Sequence, residues 1–142
     1  MNDTKRATAR DMGDVVSTWK NWTVTSEVLI TPTGIIHPLE NVPDYVNKQG
    51  KHSRGRIKFM GKWIYTYRAV MHVIRQTKHL PDGDIHHINA NRHDCRPNNL
   101  VILTKDNHVE AHKILAEVID SIDDIEEKRK EYLDYCRLHD ER

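Results

Sequence analysis

Apolar and polar positions alternate over short stretches in the first half of the chain, which favours strands joined by tight turns. Residues 28–39 place branched apolar side chains on both sides of a Pro-Thr-Gly break and predict two short strands. The stretch RIKFMGKWIYTY, residues 56–67, alternates around Met60-Gly61 and predicts a β-hairpin. One face of this hairpin is expected to be built from Ile57, Phe59, Trp63 and Tyr65 or their pleat neighbours.

Helical spacing follows further along the chain. Residues 68–80 carry Val70, Met71 and Ile74 at helical spacing and end before Pro81, which predicts a short helix. Thr104, with Asn107 three residues later, can cap a second helix. The apolar stripe of this second helix is expected to contain Val109, Ile114, Leu115, Val118 and Ile119.

A last helix is predicted over roughly residues 122–139, where Ser121 and Asp124 resemble a capping box. Its apolar residues can pack either on the body of the protein or on a second copy of the chain. These residues are Ile122, Ile125, Tyr132, Leu133 and Cys136.

Two short apolar stretches, DIHHI and LVILT, are separated by a polar loop over residues 89–99 and precede the second helix. They predict a hairpin with a long loop, followed directly by a helix. The expected fold class is therefore α+β: a small N-terminal β-rich region with a short helix, then a ββα unit, then a C-terminal helix.

Composition narrows the class of protein. The 142 residues predict one domain, or one domain with a small appendage, and their 37% hydrophobic content and mean hydropathy of −0.74 indicate a polar protein with a modest core. No apolar run approaches 18 residues and the first residues lack a secretory pattern, so we expect a cytoplasmic protein without a membrane partner. Cys95 and Cys136 form no CxxC pair and are expected to be free thiols.

Charge is unevenly distributed along the chain. Residues 45–81 contain nine Lys or Arg and no Asp or Glu, whereas residues 106–142 contain twelve acids against six bases. Such an acid-free stretch predicts a positive face and a polyanionic partner, although a solvated basic loop would have the same composition. The aromatic residues of the hairpin can either stack on bases or belong to a core.

Four histidines point to a possible metal site. His108 and His112 are spaced i, i+4 on the second predicted helix, which suits two imidazoles bound to one metal ion but also occurs by coincidence on exposed helices. His86 and His87 are adjacent on a predicted strand and must point to opposite faces. One of them can complete a three-imidazole site, and the other is then available as a base.

The stretch HHINANRHDCRPNNLVILTKDNHVEAH, residues 86–112, resembles the HNH motif of the ββα-metal nucleases. His87 matches the first histidine of that motif, the general base, and Asn99 matches the asparagine that braces the long loop. His108 falls at the helical metal ligand, while His86 stands where Asp is usual. In the similar colicin DNase branch, the residue before the base and both helical histidines bind the metal, which implies His86, His108 and His112 as ligands.

The flanking sequence resembles phage homing-type HNH endonucleases. Their loop is similar to NANRHDCRPNNL, with Ala90 where Gly is usual, and residues 55–74 resemble the hairpin and helix that precede such motifs. In that helix Arg68 matches, while Tyr67 replaces a histidine. The polar residues 1–16 are expected to form a flexible N-terminus that is disordered or weakly helical. With the resemblance, the chain then divides into a basic hairpin and helix region that binds DNA (17–81), the HNH motif (82–119) and the C-terminal helix (120–142).

The resemblance implies a metal-dependent DNA endonuclease that hydrolyses phosphodiester bonds in double-stranded DNA, as a nicking or a double-strand enzyme. His87 would activate water, and one divalent ion would stabilise the leaving 3′ oxygen. The ion is expected to be Mg or Mn, or a transition metal such as Zn or Ni, and the C-terminal helix could form a homodimer. The residues expected to bind DNA are Arg54, Arg56, Lys58, Lys62, Arg68, Arg92, Arg96 and Lys105.

Two other classes remain open. The first is a DNA-binding module that holds a structural metal and does not cleave, although a purely structural site would not require His87. The second is a zinc-dependent hydrolase of another substrate, but the helix reads HVEAH, with Glu110 at the wrong offset for an HExxH motif.

Overall fold

The computed structural model describes residues 12–142, and these divide into two compact units. Unit one comprises the chain up to Leu80 together with residues 91–99, and unit two comprises residues 81–90 and 100–142. The flexible segment predicted over 1–16 lies mostly outside the described residues, and its last two residues, Val15 and Val16, belong to a strand.

Unit one begins with a four-stranded antiparallel sheet. Its strands β1 (Val15–Trp19), β2 (Trp22–Thr25), β3 (Val28–Ile30) and β4 (Ile36–Pro38) are paired in chain order. The Thr25 hydroxyl accepts hydrogen bonds from the amides of Glu27 and Val28, which closes the tight turn between β2 and β3. The two strands predicted within residues 28–39 are confirmed.

Two small hairpins follow in unit one, β5 (Tyr45–Val46) with β6 (His52–Ser53) and β7 (Arg56–Phe59) with β8 (Lys62–Tyr65). The second is the hairpin predicted around Met60-Gly61. Both turn residues have positive φ, 50° and 86°, as a two-residue turn that matches the strand twist requires.

The face predicted for this hairpin is only half right. Ile57 pairs with Ile64 and Phe59 with Lys62, so Ile57 and Phe59 are buried while Trp63 is 66% exposed. The two-residue turn sets this register. A shift of one residue in the register would move each side chain to the opposite face of the hairpin. The pleat neighbour Ile64, not Trp63, shares the face of Ile57.

Helix α1 (Thr66–Arg75) supplies the core of unit one with Ala69, Val70, Met71 and Val73. It is shorter than the predicted 68–80 at its end, because Gln76 adopts the left-handed conformation and its amide bonds back to Val73. Phe59 packs against the ring of Trp22 at 4.7 Å between centroids, which joins the hairpin to the sheet.

Unit two consists of a hairpin and two helices. Strands β9 (Asp84–His87) and β10 (Leu100–Leu103) are antiparallel, with His86 opposite Val101 and His87 opposite Leu100. Helix α2 (Lys105–Asp120) follows at once, capped by Thr104, whose hydroxyl accepts from the Asn107 amide at 3.2 Å. The α+β class, this hairpin and the Thr104 cap are confirmed.

Helix α3 (Ile125–Leu138) packs on the rest of unit two. Tyr132 and Cys136 are buried in a cluster with Ile88, Leu103 and Ile114. The backbone beyond α3 also closes the edge of β10, since the Glu141 amide donates to the Ile102 carbonyl at 2.7 Å. The face of α3 that carries Tyr132 and Cys136 is therefore packed in the core of unit two.

Several helix predictions need correction. On α2 the residues Val109 and Ile119 are 58% and 73% exposed, because only a narrow stripe containing Ala111 and Ile114 faces the core. Helix α3 starts at Ile125 and leaves Ile122 89% exposed. The Ser121–Asp124 capping box does not form, since the two side chains bond to each other and not to backbone amides.

Both cysteines are buried free thiols, as predicted. Within residues 12–142, no helix combines the length and the apolar character needed to cross a bilayer.

Gly83 precedes β9 with φ 134°, and a Cβ there would press on the backbone carbonyl of Leu103. We expect Gly83→Ala to lower the free energy of unfolding by about 2 kcal/mol or more. Urea denaturation followed by circular dichroism measures this. Gly50→Ala is the control, since Gly50 also has positive φ but nothing within 4 Å of its Cβ position, and it should lose only about 1 kcal/mol. Equal losses would contradict the steric argument.

Candidate functional site

Three histidines of unit two meet in one cluster. His86 comes from β9, and His108 and His112 come from adjacent turns of α2. One ligand nitrogen from each ring lies within 4.8 Å of the others, and the Nε2 atoms of His108 and His112 are 3.0 Å apart. His86 is buried, His108 is half-buried and His112 is exposed, so the cluster opens to solvent on the helix side.

The ring of His86 is oriented by Tyr132 on α3. Its Nε2 lies 2.7 Å from the Tyr132 hydroxyl, and that hydroxyl donates its single proton to the Ile88 carbonyl. The tyrosine oxygen must therefore accept from His86, which places the imidazole proton on Nε2. The lone pair of neutral His86 is consequently on Nδ1.

Burial, followed by the proximity of His108 and His112, lowers the pKa of His86 to about 4. Burial and His108 also lower the pKa of His112. His86 is thus neutral near pH 7, and a neutral imidazole is the form that binds a metal ion.

The ring of His108 is oriented by Asp84 on β9. Its Nδ1 lies 3.0 Å from the Asp84 carboxylate, which can only accept a hydrogen bond. His108 Nδ1 therefore carries a proton, and Nε2 faces His112. A carboxylate behind a histidine is the usual partner of a metal-binding imidazole, since it sets the tautomer and raises the basicity of the other nitrogen.

These residues fit a divalent ion. Three nitrogen donors converge, two of the rings are oriented by hydrogen bonds, and the partly exposed side leaves room for further ligands. Imidazole donors suit Zn, Ni, Cu or Fe better than Mg, which prefers oxygen. The cluster could therefore hold one metal ion with open coordination positions.

Of the two residues predicted to be catalytic, His87 is next to the cluster in the chain, whereas Asn99 belongs to unit one. His87 is the last residue of β9, is 7% exposed and does not join the three ligand nitrogens. Asn99 ends a one-turn 3-10 helix, Pro97–Asn99, in the loop of unit one, and its side-chain amide donates to the Asp94 carbonyl at 2.8 Å. That bond ties together the two ends of residues 94–99.

The basic residues predicted to bind DNA fall into two groups. Two of them are bound to carboxylates within unit one: Arg92 to Asp44 at 2.8 Å and Arg96 to Asp94 at 3.0 Å. A phosphate would have to compete with these ion pairs. The others are exposed, and they are Arg54, Arg56, Lys58 and Lys62 on or before the β7–β8 hairpin, Arg68 on α1 and Lys105 at the start of α2.

Comparison with known families identifies the motif. Residues 72–110 match the family model described as HNH endonuclease, and this segment contains His86, His87, Asn99 and His108. Residues 72–110 are therefore similar to HNH endonucleases, a similarity that the histidine and asparagine spacing predicted. The match covers less than half of the chain and leaves the hairpin at 56–65 and His112 outside it. No curated protein and no solved structure matches the chain.

Two residues of this site, Asp84 and Tyr132, are not among the predicted site residues. Asp84 could have been found, because it lies two positions before His86 and strand residues i and i+2 share a face. Tyr132 had no such signal, since it lies 46 residues from His86 and was noted only as an apolar residue of the last helix.

Loss of the Asp84 carboxylate should weaken metal binding. We expect Asp84→Asn to reduce affinity for Zn, Ni or Mn about 10- to 100-fold, because an amide can donate to His108 Nδ1 as well as accept from it and so no longer enforces one tautomer. Isothermal titration with each ion measures this. Asp82→Asn is the matched control, an exposed acid two residues away, and a similar loss there would show a general charge effect.

Loss of the Tyr132 hydroxyl should release the His86 tautomer. We expect Tyr132→Phe to weaken metal binding by about 10-fold, since His86 Nε2 then has no fixed acceptor. Nitrogen-15 NMR of the metal-free protein should show a single Nε2-protonated His86 in the wild type and a mixture in the variant. An unchanged spectrum would contradict the positioning role. Leu138→Ala, an exposed residue of the same helix, controls for changes in α3.

Proposed function

We propose that this protein is a metal-dependent DNA endonuclease that hydrolyses phosphodiester bonds. The observation that carries this proposal is the three-imidazole cluster, directly adjacent in the chain to His87, within unit two. The HNH endonuclease match over residues 72–110 supports the same reaction class. A cluster with only structural duties would not need open coordination positions.

In this proposal His87 is the general base. Its neutral imidazole takes a proton from the water that attacks the scissile phosphorus, a step that requires the ring to be correctly placed. The burial of His87 at the end of β9 supports this role, since packing holds the ring in one orientation. Asn99 is proposed to stabilise the polar loop through its bond to the Asp94 carbonyl.

The proposed metal ligands are His86, His108 and His112. A divalent ion held there would supply Lewis-acid stabilisation of the charge that develops on the phosphate and on the leaving 3′ oxygen. The nitrogen donors favour a transition metal such as Zn or Ni, or Mn, over Mg. If His112 does not bind the ion, water would take its place as a ligand. The preference for softer transition metals is then weaker, and Mg or Mn becomes suitable.

The proposed substrate is double-stranded DNA. Exposed cations of unit one, among them Lys58, Lys62 and Arg68, can neutralise phosphates and provide affinity that depends on salt.

One HNH site would cut one strand, and a dimer would cut both. The resemblance to phage homing-type enzymes favours a mobile-element role, and the non-cleaving DNA-binding module is the alternative.

Cleavage of supercoiled plasmid tests the proposal. With Mg, Mn, Ni or Zn present, the wild type should nick the plasmid, and EDTA should abolish the activity. We expect His87→Ala to slow nicking by at least about 100-fold, because the water loses its base, while gel-shift affinity for the plasmid stays unchanged.

His79→Ala is the control, because His79 is an exposed histidine of unit one with no proposed role. Equal, low activity in all three proteins, with DNA binding retained, would overturn the nuclease proposal and support the non-cleaving module.

A further inference from the structure

The outer face of the β7–β8 hairpin carries only cations and aromatic rings. Arg56 is paired across the strands with Tyr65, and Lys58 with Trp63. Residues i and i+2 share a face, so these four side chains form one surface opposite the buried Ile57 and Phe59. Trp63, at 66% exposed, is the most exposed aromatic side chain of this surface.

Stacking contacts hold the cations of this region in place. The Arg56 guanidinium lies 5.1 Å from the Tyr45 ring and 5.6 Å from the Tyr65 ring. Tyr65 is stacked on Tyr67 at 5.5 Å, and Arg54 covers Tyr67 at 5.4 Å. The two guanidinium groups and the three rings thus form one continuous stacked ladder. Such contacts orient the arginine charges before any ligand binds.

Beside this ladder lies an open groove of about 520 Å³, within the size range of small-ligand pockets. Its walls include the rings of Tyr45 and Trp63 and the Arg56 side chain. Its one acid, Asp44, is bound by Arg92 at 2.8 Å and by His93 at 2.9 Å. The hydrogen bond from His93 lowers the pKa of Asp44, and the ion pair with Arg92 compensates its charge.

We propose that this groove binds an unstacked nucleobase of single-stranded DNA, with the Trp63 indole as its stacking platform and with Arg56 and Lys58 on the flanking phosphates. Exposed aromatic rings among cations are the usual composition of surfaces that bind single strands. Bases in an intact duplex are stacked on each other, so their faces cannot reach Trp63. The surrounding stretch, residues 45–81, contains no acidic residue, so its charge complements a polyanion such as a DNA strand.

This single-strand site rests on the proposed nuclease function, which makes DNA the substrate. It adds the form of DNA that unit one binds. An unpaired segment bound here would come from DNA that is distorted or already nicked. The site is independent of His87 and of the histidine cluster, so its test does not require cleavage.

Fluorescence anisotropy in EDTA tests this site on the full chain. The probes are a labelled twelve-nucleotide thymidine strand, an abasic strand of the same length and charge, and a duplex. We expect Trp63→Ala to weaken binding of the thymidine strand by about 10-fold or more and to leave the abasic strand unchanged. Trp63→Phe should retain part of the affinity, since a smaller ring still stacks.

Lys58→Gln is the matched control, because it is the cross-strand neighbour of Trp63 and should weaken the thymidine and abasic strands equally. Equal losses on both strands for Trp63→Ala would overturn the stacking role, as would absence of single-strand binding in the wild type. If Trp63→Ala instead abolished self-association in sedimentation, the groove would belong to a second copy. Metal-dependent nicking by the wild type is measured separately, so the nuclease proposal holds if nicking is observed, whatever the result of the binding assay. If Trp63→Ala alters the circular dichroism spectrum, Trp63→Phe replaces it and should still weaken the thymidine strand more than the abasic strand.

Discussion

The antiparallel pairing of β9 with β10 is the constraint on which unit two depends. All four residues of β10 are buried, and the register sets His86 against Val101 and His87 against Leu100. Because α2 starts immediately after β10 at the Thr104 cap, the same pairing also sets where the first turns of the helix begin. A slip of one residue would exchange the faces of His86 and His87 and separate His86 from His108 and His112.

Hydrogen bonds then specify the chemistry of the cluster. Tyr132 must accept from His86 because its own proton goes to the Ile88 carbonyl, and Asp84 accepts from His108 through Nδ1. Each bond selects one tautomer and leaves the other ring nitrogen available. Rings selected in this way lose little freedom when an ion binds, so part of the ordering has already occurred in folding.

Unit one shows the same dependence on register at its surface. The Met60-Gly61 turn assigns Ile57 and Phe59 to the core and leaves Trp63 and Tyr65 with the cations. Stacking between Arg56 and its two tyrosines keeps the basic side chains ordered at an exposed site. Turn length thus determines whether an aromatic residue of this hairpin is buried in the core or exposed at the surface.

Short-range signals along the chain predict the elements and the motif, since turn residues, the Thr104 cap and histidine spacing act over a few residues. Packing in the folded chain selects the surroundings of these side chains: Tyr132 behind His86, carboxylates on Arg92 and Arg96, solvent around Val109 and Ile119. Asp84 is intermediate, because strand alternation encodes its face but not its contact with His108. Local periodicity states which side of an element is apolar, whereas the width of the buried stripe and the identity of a hydrogen-bond partner depend on what packs against it.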